Sequence, residues 1–201
     1  MNEPGLSQTY PFMLVGLGNP GREYRDTRHN VGFMAVDRMC MTFGIKLSRL
    51  QSKALVGTGT YEGHKIVLAK PQTYMNLSGQ AVSSLMRFYR IPPGQVLVFY
   101  DEIDLPVGTI RIRQAGGSAG NRGLESIIQQ LGTQEFPRLR IGIGRPPGQK
   151  EAADYVLQSF TRTDLEIIST VLDHAVDAAK IFICEGLDSA MNQFNGTVLK
   201  E

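Results

Sequence analysis

Phe12-Met13-Leu14-Val15-Gly16-Leu17 is a continuous apolar run of strand length, and it breaks at Gly18-Asn19-Pro20-Gly21, residues suited to a turn. Apolar residues then recur at helical spacing through Phe33, Val36, Met39, Cys40 and Phe43 until Gly44 supplies a stop. This strand-loop-helix opening is the strongest local constraint in the chain. Similar units follow it, so the chain reads as α/β. Between strand and helix runs the polar stretch Asp26-Thr27-Arg28-His29-Asn30, which delivers His29 to the start of the helix. In open α/β sheets, ligands bind outside the carboxyl ends of the strands. The positive end of a helix dipole there favours a neutral imidazole, the form that accepts a proton. A lone histidine at a helix start is equally suited to a cap or a surface role, so other stretches have to decide.

Length and composition set the frame. A chain of 201 residues is long enough for one well-buried core and does not require a second domain. The expected division is a loose N-terminal extension over 1–11 and one α/β domain over 12–201. With 42% hydrophobic and 20% charged residues, a disordered or fibrous chain is excluded. The net charge of +2 places any nucleic-acid affinity in local clusters of basic residues rather than in the total. Cys40 and Cys184 lie far apart in apolar helical patterns, without zinc or redox spacing, and read as reduced core residues of a cytosolic protein. Met1 to Tyr10 lacks the basic and apolar regions of a secretory signal, and no apolar run approaches membrane-spanning length.

Further along, Lys53 to Thr60 and Lys65 to Lys70 read as strands joined by Tyr61-Glu62-Gly63-His64, with His64 an exposed turn residue. Pro71-Gln72-Thr73-Tyr74-Met75-Asn76 closes the second strand and leads into a helix carrying Ala81, Val82, Leu85, Met86 and Tyr89. Gln95 to Tyr100 is the next strand and ends at Asp101. After a break at Pro106 and Gly108, the strand Thr109-Ile110-Arg111-Ile112-Arg113 puts both arginines on one face. Scattered arginines are most often a solvated surface.

A glycine-rich loop, Ala115 to Gly123, precedes a helix with Leu124, Ile127, Ile128 and Leu131, and can present backbone N–H groups to an anion. Leu139 to Ile143 is another strand, with Arg138 and Arg140 at its start. Arg145 to Lys150 is a loop able to act as a flap. Thr163 and Glu166 have capping-box spacing before a long amphipathic helix, beside whose apolar stripe His174 sits at the boundary. The whole predicts a mixed, mostly parallel twisted sheet with helices on both faces.

Gly16-Leu17-Gly18-Asn19-Pro20-Gly21 has the G-x-G-x-x-G spacing of a dinucleotide-binding oxidoreductase. The context fits poorly, because Pro20, Tyr24 and the run to His29 intervene before the helix, and the acidic candidate Asp37 falls inside that helix. A different pattern is more informative. Asn19, Asn76 and Asp101 follow the first, third and fourth strands, and if those strands are parallel neighbours the three residues converge on His29. A histidine, a carboxylate to orient it and two amides to hold a carbonyl form a hydrolytic set. No serine or cysteine occupies a nucleophile elbow, which favours direct attack by water. Taken singly, Asn19 suits a turn and Asn76 a helix cap.

Gly18-Asn19-Pro20-Gly21, Tyr24, Thr27-Arg28-His29-Asn30, Lys70-Pro71-Gln72-Thr73-Tyr74-Met75-Asn76-Leu77-Ser78-Gly79, Asp101-Glu102-Ile103-Asp104-Leu105-Pro106 and Arg140-Ile141-Gly142-Ile143-Gly144 together resemble the bacterial-type peptidyl-tRNA hydrolases. The likeness runs from about Leu14 to Asn192. It implies a monomeric cytosolic enzyme that cleaves the ester between a stalled peptide and its tRNA, with no metal, cofactor or protein partner. It also implies His29 as general base, Asp101 as the carboxylate that stabilises its reactive form, and Asn19 as the amide that helps tell blocked from free aminoacyl ends. Tyr24, Tyr74 and Asn76 correspond to substrate-contacting positions. One departure stands out. Where the family commonly has Gly-His-Asn-Gly-Leu, this chain has Gly120-Asn121-Arg122-Gly123-Leu124. The substrate-binding asparagine becomes Arg122 without a shift, or Asn121 with one. A noncatalytic RNA-binding relative is a third reading, opposed by the presence of both His29 and Asp101.

Overall fold

The computed structural model describes residues 10–146, 148 and 151–198. Strand β1 (Phe12–Gly16) leads through two short 3-10 turns, Arg22–Tyr24 and Arg28–Asn30, into α1 (Val31–Phe43), which Gly44 ends in the left-handed region at φ 66°. β2 (Arg49–Gln51), β3 (Ala54–Tyr61) and β4 (His64–Pro71) follow as an antiparallel meander. Glu62 and Gly63 make its second turn with φ of 47° and 80°, the paired positive values that match strand twist in a two-residue hairpin. A 3-10 turn (Met75–Leu77) opens α2 (Ser78–Tyr89), and then come β5 (Val96–Glu102), β6 (Thr109–Arg113), α3 (Arg122–Leu131) and β7 (Arg138–Gly142). The chain closes with α4 (Ala152–Val156), α5 (Arg162–Cys184), α6 (Leu187–Phe194) and the two-residue β8 (Gly196–Thr197).

The strands form one sheet in the order β2-β3-β4-β1-β5-β7-β6-β8. Parallel pairing is confined to the four central strands β4, β1, β5 and β7, while the pairings toward both edges are antiparallel. The expectation of a mostly parallel sheet therefore holds for the centre only. Short connections such as the Glu62-Gly63 turn cannot make the long crossover that parallel neighbours need. Side chains alternate across the sheet. Leu14, Leu97, Phe99, Leu139 and Ile141 face α1, α5 and α6, whereas Met13, Val15, Val96, Val98 and Tyr100 face α2 and α3. Because both faces are covered, β1 and the stretch of β5 from Val96 to Tyr100 read as unbroken apolar runs.

Several local expectations change in the tertiary setting. His64, expected as an exposed turn residue, is the half-buried first residue of β4, its ring 5.7 Å from that of Phe12. Cys184, expected in the core, is exposed near the end of α5. Cys40 is half-buried, and burial, helped by Asp37, pushes its thiol up to about 11. The capping box of α5 lies at Thr161 and Asp164, not at Thr163 and Glu166. Both pairs have the required spacing, but Asp164 also receives Arg28 from the 3-10 turn before α1, at 3.3 Å. Arg138 is wholly buried inside β7 rather than solvated. It donates to the carbonyls of Phe136, Gln134 and Gly116, and so ties the glycine-rich loop to the sheet. Helices α4 and α6 and strands β2 and β8 have no counterpart in the sequence reading. The extension over 1–11 is outside the described residues as far as residue 9, as are positions 147, 149 and 150 of the loop expected to act as a flap.

Candidate active site

β1, β4 and β5 are parallel neighbours, so their carboxyl ends open on the same edge of the sheet. Asp101 is the penultimate residue of β5, with its side chain 3% exposed, and His29 comes in from the 3-10 turn ahead of α1, 14% exposed. The imidazole Nδ1 lies 2.9 Å from each carboxylate oxygen of Asp101. An ionised carboxylate only accepts, so Nδ1 carries the proton and Nε2 is left with a lone pair. Among the described residues Nε2 has no hydrogen-bond partner. With its tautomer set by a buried carboxylate, the imidazole is able to accept a proton at Nε2.

Asn19 is placed by a reciprocal clamp. Its backbone N–H donates to Asn30 Oδ1 at 2.8 Å, and its carbonyl accepts from Asn30 Nδ2 at 2.9 Å. The Asn19 side-chain oxygen accepts from the backbone N–H of Met75 at 2.9 Å, which orients the amide nitrogen away from that contact. Asn30, 2% exposed, was not assigned a role from sequence, and no local pattern marks it. The glycines around this loop have packing reasons. A Cβ on Gly16 would lie 2.1 Å from the Gly32 carbonyl oxygen, and one on Gly18 would meet the Phe33 ring at 2.7 Å. They let α1 sit directly on β1 and the loop that follows. Asp37, the only acidic candidate for a ribose ligand, binds Lys70 at 2.7 and 2.8 Å instead.

His29, Asp101, Asn19, Tyr74, Asn76, Asn121 and Arg122 line one cleft of about 580 Å³. Tyr24 is not in its wall; it ends the preceding 3-10 turn, and its carbonyl accepts from Thr27. Ala152, Ala153, Val156 and Leu157 of the α4 segment close the opposite side. A hollow of about 690 Å³ near the ends of α2 and α3 is larger but contains none of these residues, so convergent polar groups rather than volume select the site. Asn121 caps α3 and touches Asp101, while Arg122, the first residue of that helix, is exposed. Tyr74 and Asn76 are exposed on the 3-10 turn that precedes α2.

Two buried charges support the arrangement. Glu102, buried in the cleft wall, lies 3.5 Å from Arg140 on β7. The neighbouring Tyr100 is fully buried, and that burial pushes its hydroxyl up to about 12. On the other flank, Arg28 turns away from the cleft into a box made by Tyr155, Phe160 and Asp164, next in sequence to His29. Among the described residues no three His, Cys, Asp or Glu side chains gather as metal ligands would.

A mixed α/β sheet with an imidazole-carboxylate pair and amides converging on the carboxyl ends of its parallel strands defines a class: an α/β protein with an acid-base centre suited to attack on a carbonyl. A family model described as peptidyl-tRNA hydrolase matches residues 13–201, and the chain belongs to that family. A peptidyl-tRNA hydrolase from Moorella thermoacetica is 52% identical over 186 residues, spanning 92% of this chain and 97% of its own. One from Carboxydothermus hydrogenoformans is 49% identical over 184 residues, spanning 92% and 98%. The crystal structure of peptidyl-tRNA hydrolase from Acinetobacter baumannii has a TM-score of 0.89 at 36% identity, covering 97% of this chain and all of its own. Uridine phosphorylase from Vibrio fischeri, at 11% identity and a TM-score of 0.53, shares the fold alone.

Proposed function

We propose that this chain hydrolyses the ester that joins a peptide to the 3′ end of tRNA, with His29 as general base on water. The observation that carries the roles is the His29 Nδ1 contact to both oxygens of buried Asp101, which leaves Nε2 to take a proton. Water attacks the ester carbonyl as Nε2 removes its proton, and the Asp101 charge stabilises the imidazolium that forms. Asn19 and Asn76 supply amide N–H donors in the same cleft for the carbonyl oxygen. Collapse of the tetrahedral intermediate expels the ribose oxygen, which the imidazolium reprotonates. Peptide acid and free tRNA leave, and the base is restored. A positioned base contributes about 10²- to 10⁴-fold. An ester needs no covalent intermediate when orientation is supplied as well.

The tRNA is an anion, and basic residues on β6, β7 and α3 are candidates to meet its phosphates. Arg111 on β6 stands opposite Arg140 on β7, with exposed Arg113 two residues along. Arg140 also holds Glu102 at the cleft. Arg122 adds an exposed guanidinium at the N-terminus of α3, where the helix dipole favours an anion. The reading carries with it action in the cytoplasm by a monomer; no helix among the described residues is long and apolar enough to cross a membrane.

The test is release of N-blocked peptide from tRNA by purified protein, with unblocked aminoacyl-tRNA as control. Selective cleavage of the blocked substrate, abolished in His29→Ala with tRNA binding kept, is expected. A fully active His29→Ala protein rejects the base assignment, and equal cleavage of both substrates rejects the selectivity.

A further inference from the structure

Asn121 is 9% exposed, and its hydrogen-bonding capacity is nearly spent. Its Oδ1 accepts from the backbone N–H groups of Gly123 and Leu124, both at 3.0 Å, which makes it the cap of α3. Its Nδ2 donates to Asp101 Oδ1 at 3.0 Å. The amide cannot be turned over. Flipping it would set an NH₂ group against two N–H donors and an oxygen against a carboxylate.

From this geometry we infer that Asn121 is a positioning residue: it holds the Asp101 carboxylate against His29 and shares its charge. The inference rests on the hydrolase reading above and departs from a substrate-contacting role for Asn121. Asp101 accepts from two directions, Nδ1–H of His29 and Nδ2–H of Asn121. The second donor is anchored to a helix N-terminus, so the carboxylate cannot swing about its own bond, and part of its charge is already answered. The other ionisable groups near the pair are few. Tyr74 comes from the turn before α2, Tyr100 and Glu102 from β5, Arg122 from α3, and Arg140 of β7 is engaged with Glu102. Arg28 is turned away to Asp164, and α4 lines the cleft with Ala152, Ala153, Val156 and Leu157.

Two variants separate positioning from capping. Asn121→Ser keeps a hydroxyl cap for α3 but is too short to reach Asp101. Asn121→Asp keeps the cap and replaces the donor with a second carboxylate. If Asn121 positions the carboxylate, Asn121→Ser melts within a few degrees of wild type, loses about tenfold in kcat with KM little changed, and its acid limb moves to higher pH. The sign follows from the chemistry: an undivided carboxylate charge holds the imidazolium proton more strongly, so the free base appears later as pH rises. Asn121→Asp moves the limb further in the same direction. NMR titration of the imidazoles gives a readout that needs no turnover, since the chain has three histidines and His29→Ala identifies one of them. Superimposable His29 titrations in wild type and Asn121→Ser overturn the inference, as does a loss confined to KM. Failure of wild type to cleave peptidyl-tRNA overturns the functional reading instead, while the titrations still decide Asn121.

Discussion

Arg28 joins the turn that carries His29 to the far side of the cleft, and breaking that joint has a size that the structure allows to be worked out. Its side chain is 7% exposed. Nη1 donates to the carbonyls of Gln158 and Ser159 at 3.2 and 2.7 Å, and Nη2 to Asp164 Oδ2 at 3.3 Å. The guanidinium carbon lies 4.4 Å from the centre of the Tyr155 ring and 5.4 Å from that of Phe160. Arg28→Met keeps the length and removes the fork. The loss is smaller than the sum of these contacts, because Asp164 is 24% exposed and the freed Gln158 and Ser159 carbonyls regain water. About 3 kcal/mol remains from the charged hydrogen bonds and ring contacts. At 2 to 4 °C per kcal/mol for a domain of this size, calorimetry should show Tm lower by about 6 to 12 °C. Arg28→Lys restores a charge but only a point donor, and should recover about half of that. Because Arg28 N also donates to Gln158 O at 3.0 Å, the α4 segment keeps one backbone tie, and folding should survive. His29 then loses its exact placement, and peptidyl-tRNA turnover should fall at least tenfold, since displacements of about 1 Å cost up to 10²-fold. An Arg28→Met protein that melts within about 1 °C of wild type with undiminished turnover refutes the reasoning.

Gly32→Ala would put a Cβ 2.3 Å from the Phe99 carbonyl oxygen and 2.6 Å from Leu17 backbone atoms, which cannot yield. Urea unfolding should show a loss of about 3 kcal/mol, whereas Gly44→Ala, strained at φ 66° but with open space around it, should cost about 1 kcal/mol. His174 is held below the usual histidine value of 6.5, chiefly by burial against Phe194 and neighbours, with Asp177 opposing. Its neutral form is favoured in the fold, so that stability is complete above pH 6.5 and falls as pH drops through the folded-state value, where the unfolded chain binds the extra proton. Tm measured against pH should therefore be flatter in His174→Gln over that window. Arg122→Ala should raise KM and reduce the logarithmic salt slope of tRNA binding by about 0.7, the value for one phosphate contact on a single strand. Unchanged slope and affinity would return Arg122 to the solvated surface.

Much of the catalytic cleft was written locally. Each strand end and its loop spans a few residues, so apolar runs followed by turn chemistry were enough to mark Asn19, Asn76 and Asp101 and to set His29 before a helix. Their convergence needed only that β1, β4 and β5 be parallel neighbours, which a covered sheet favours. Tyr24, by contrast, lies outside the cleft lining although it corresponds to a substrate-contacting position in the family.

What folding alone decided involves partners far apart in the chain. Thr161 rather than Thr163 caps α5, and Arg28 becomes a buried strut, because Arg28 and Asp164 meet across 136 residues. Asn30 clamps Asn19, and Asn121 rather than Arg122 turns to Asp101, because each amide answers donors and acceptors brought together only by packing. Periodicity and turn residues report the energy of near neighbours, so the amino-acid sequence by itself determined the α/β architecture and marked the histidine and carboxylate that we propose as base and partner. The orientation of those groups rests on hydrogen bonds whose strength depends on burial beside a distant segment, and that burial exists only in the tertiary structure.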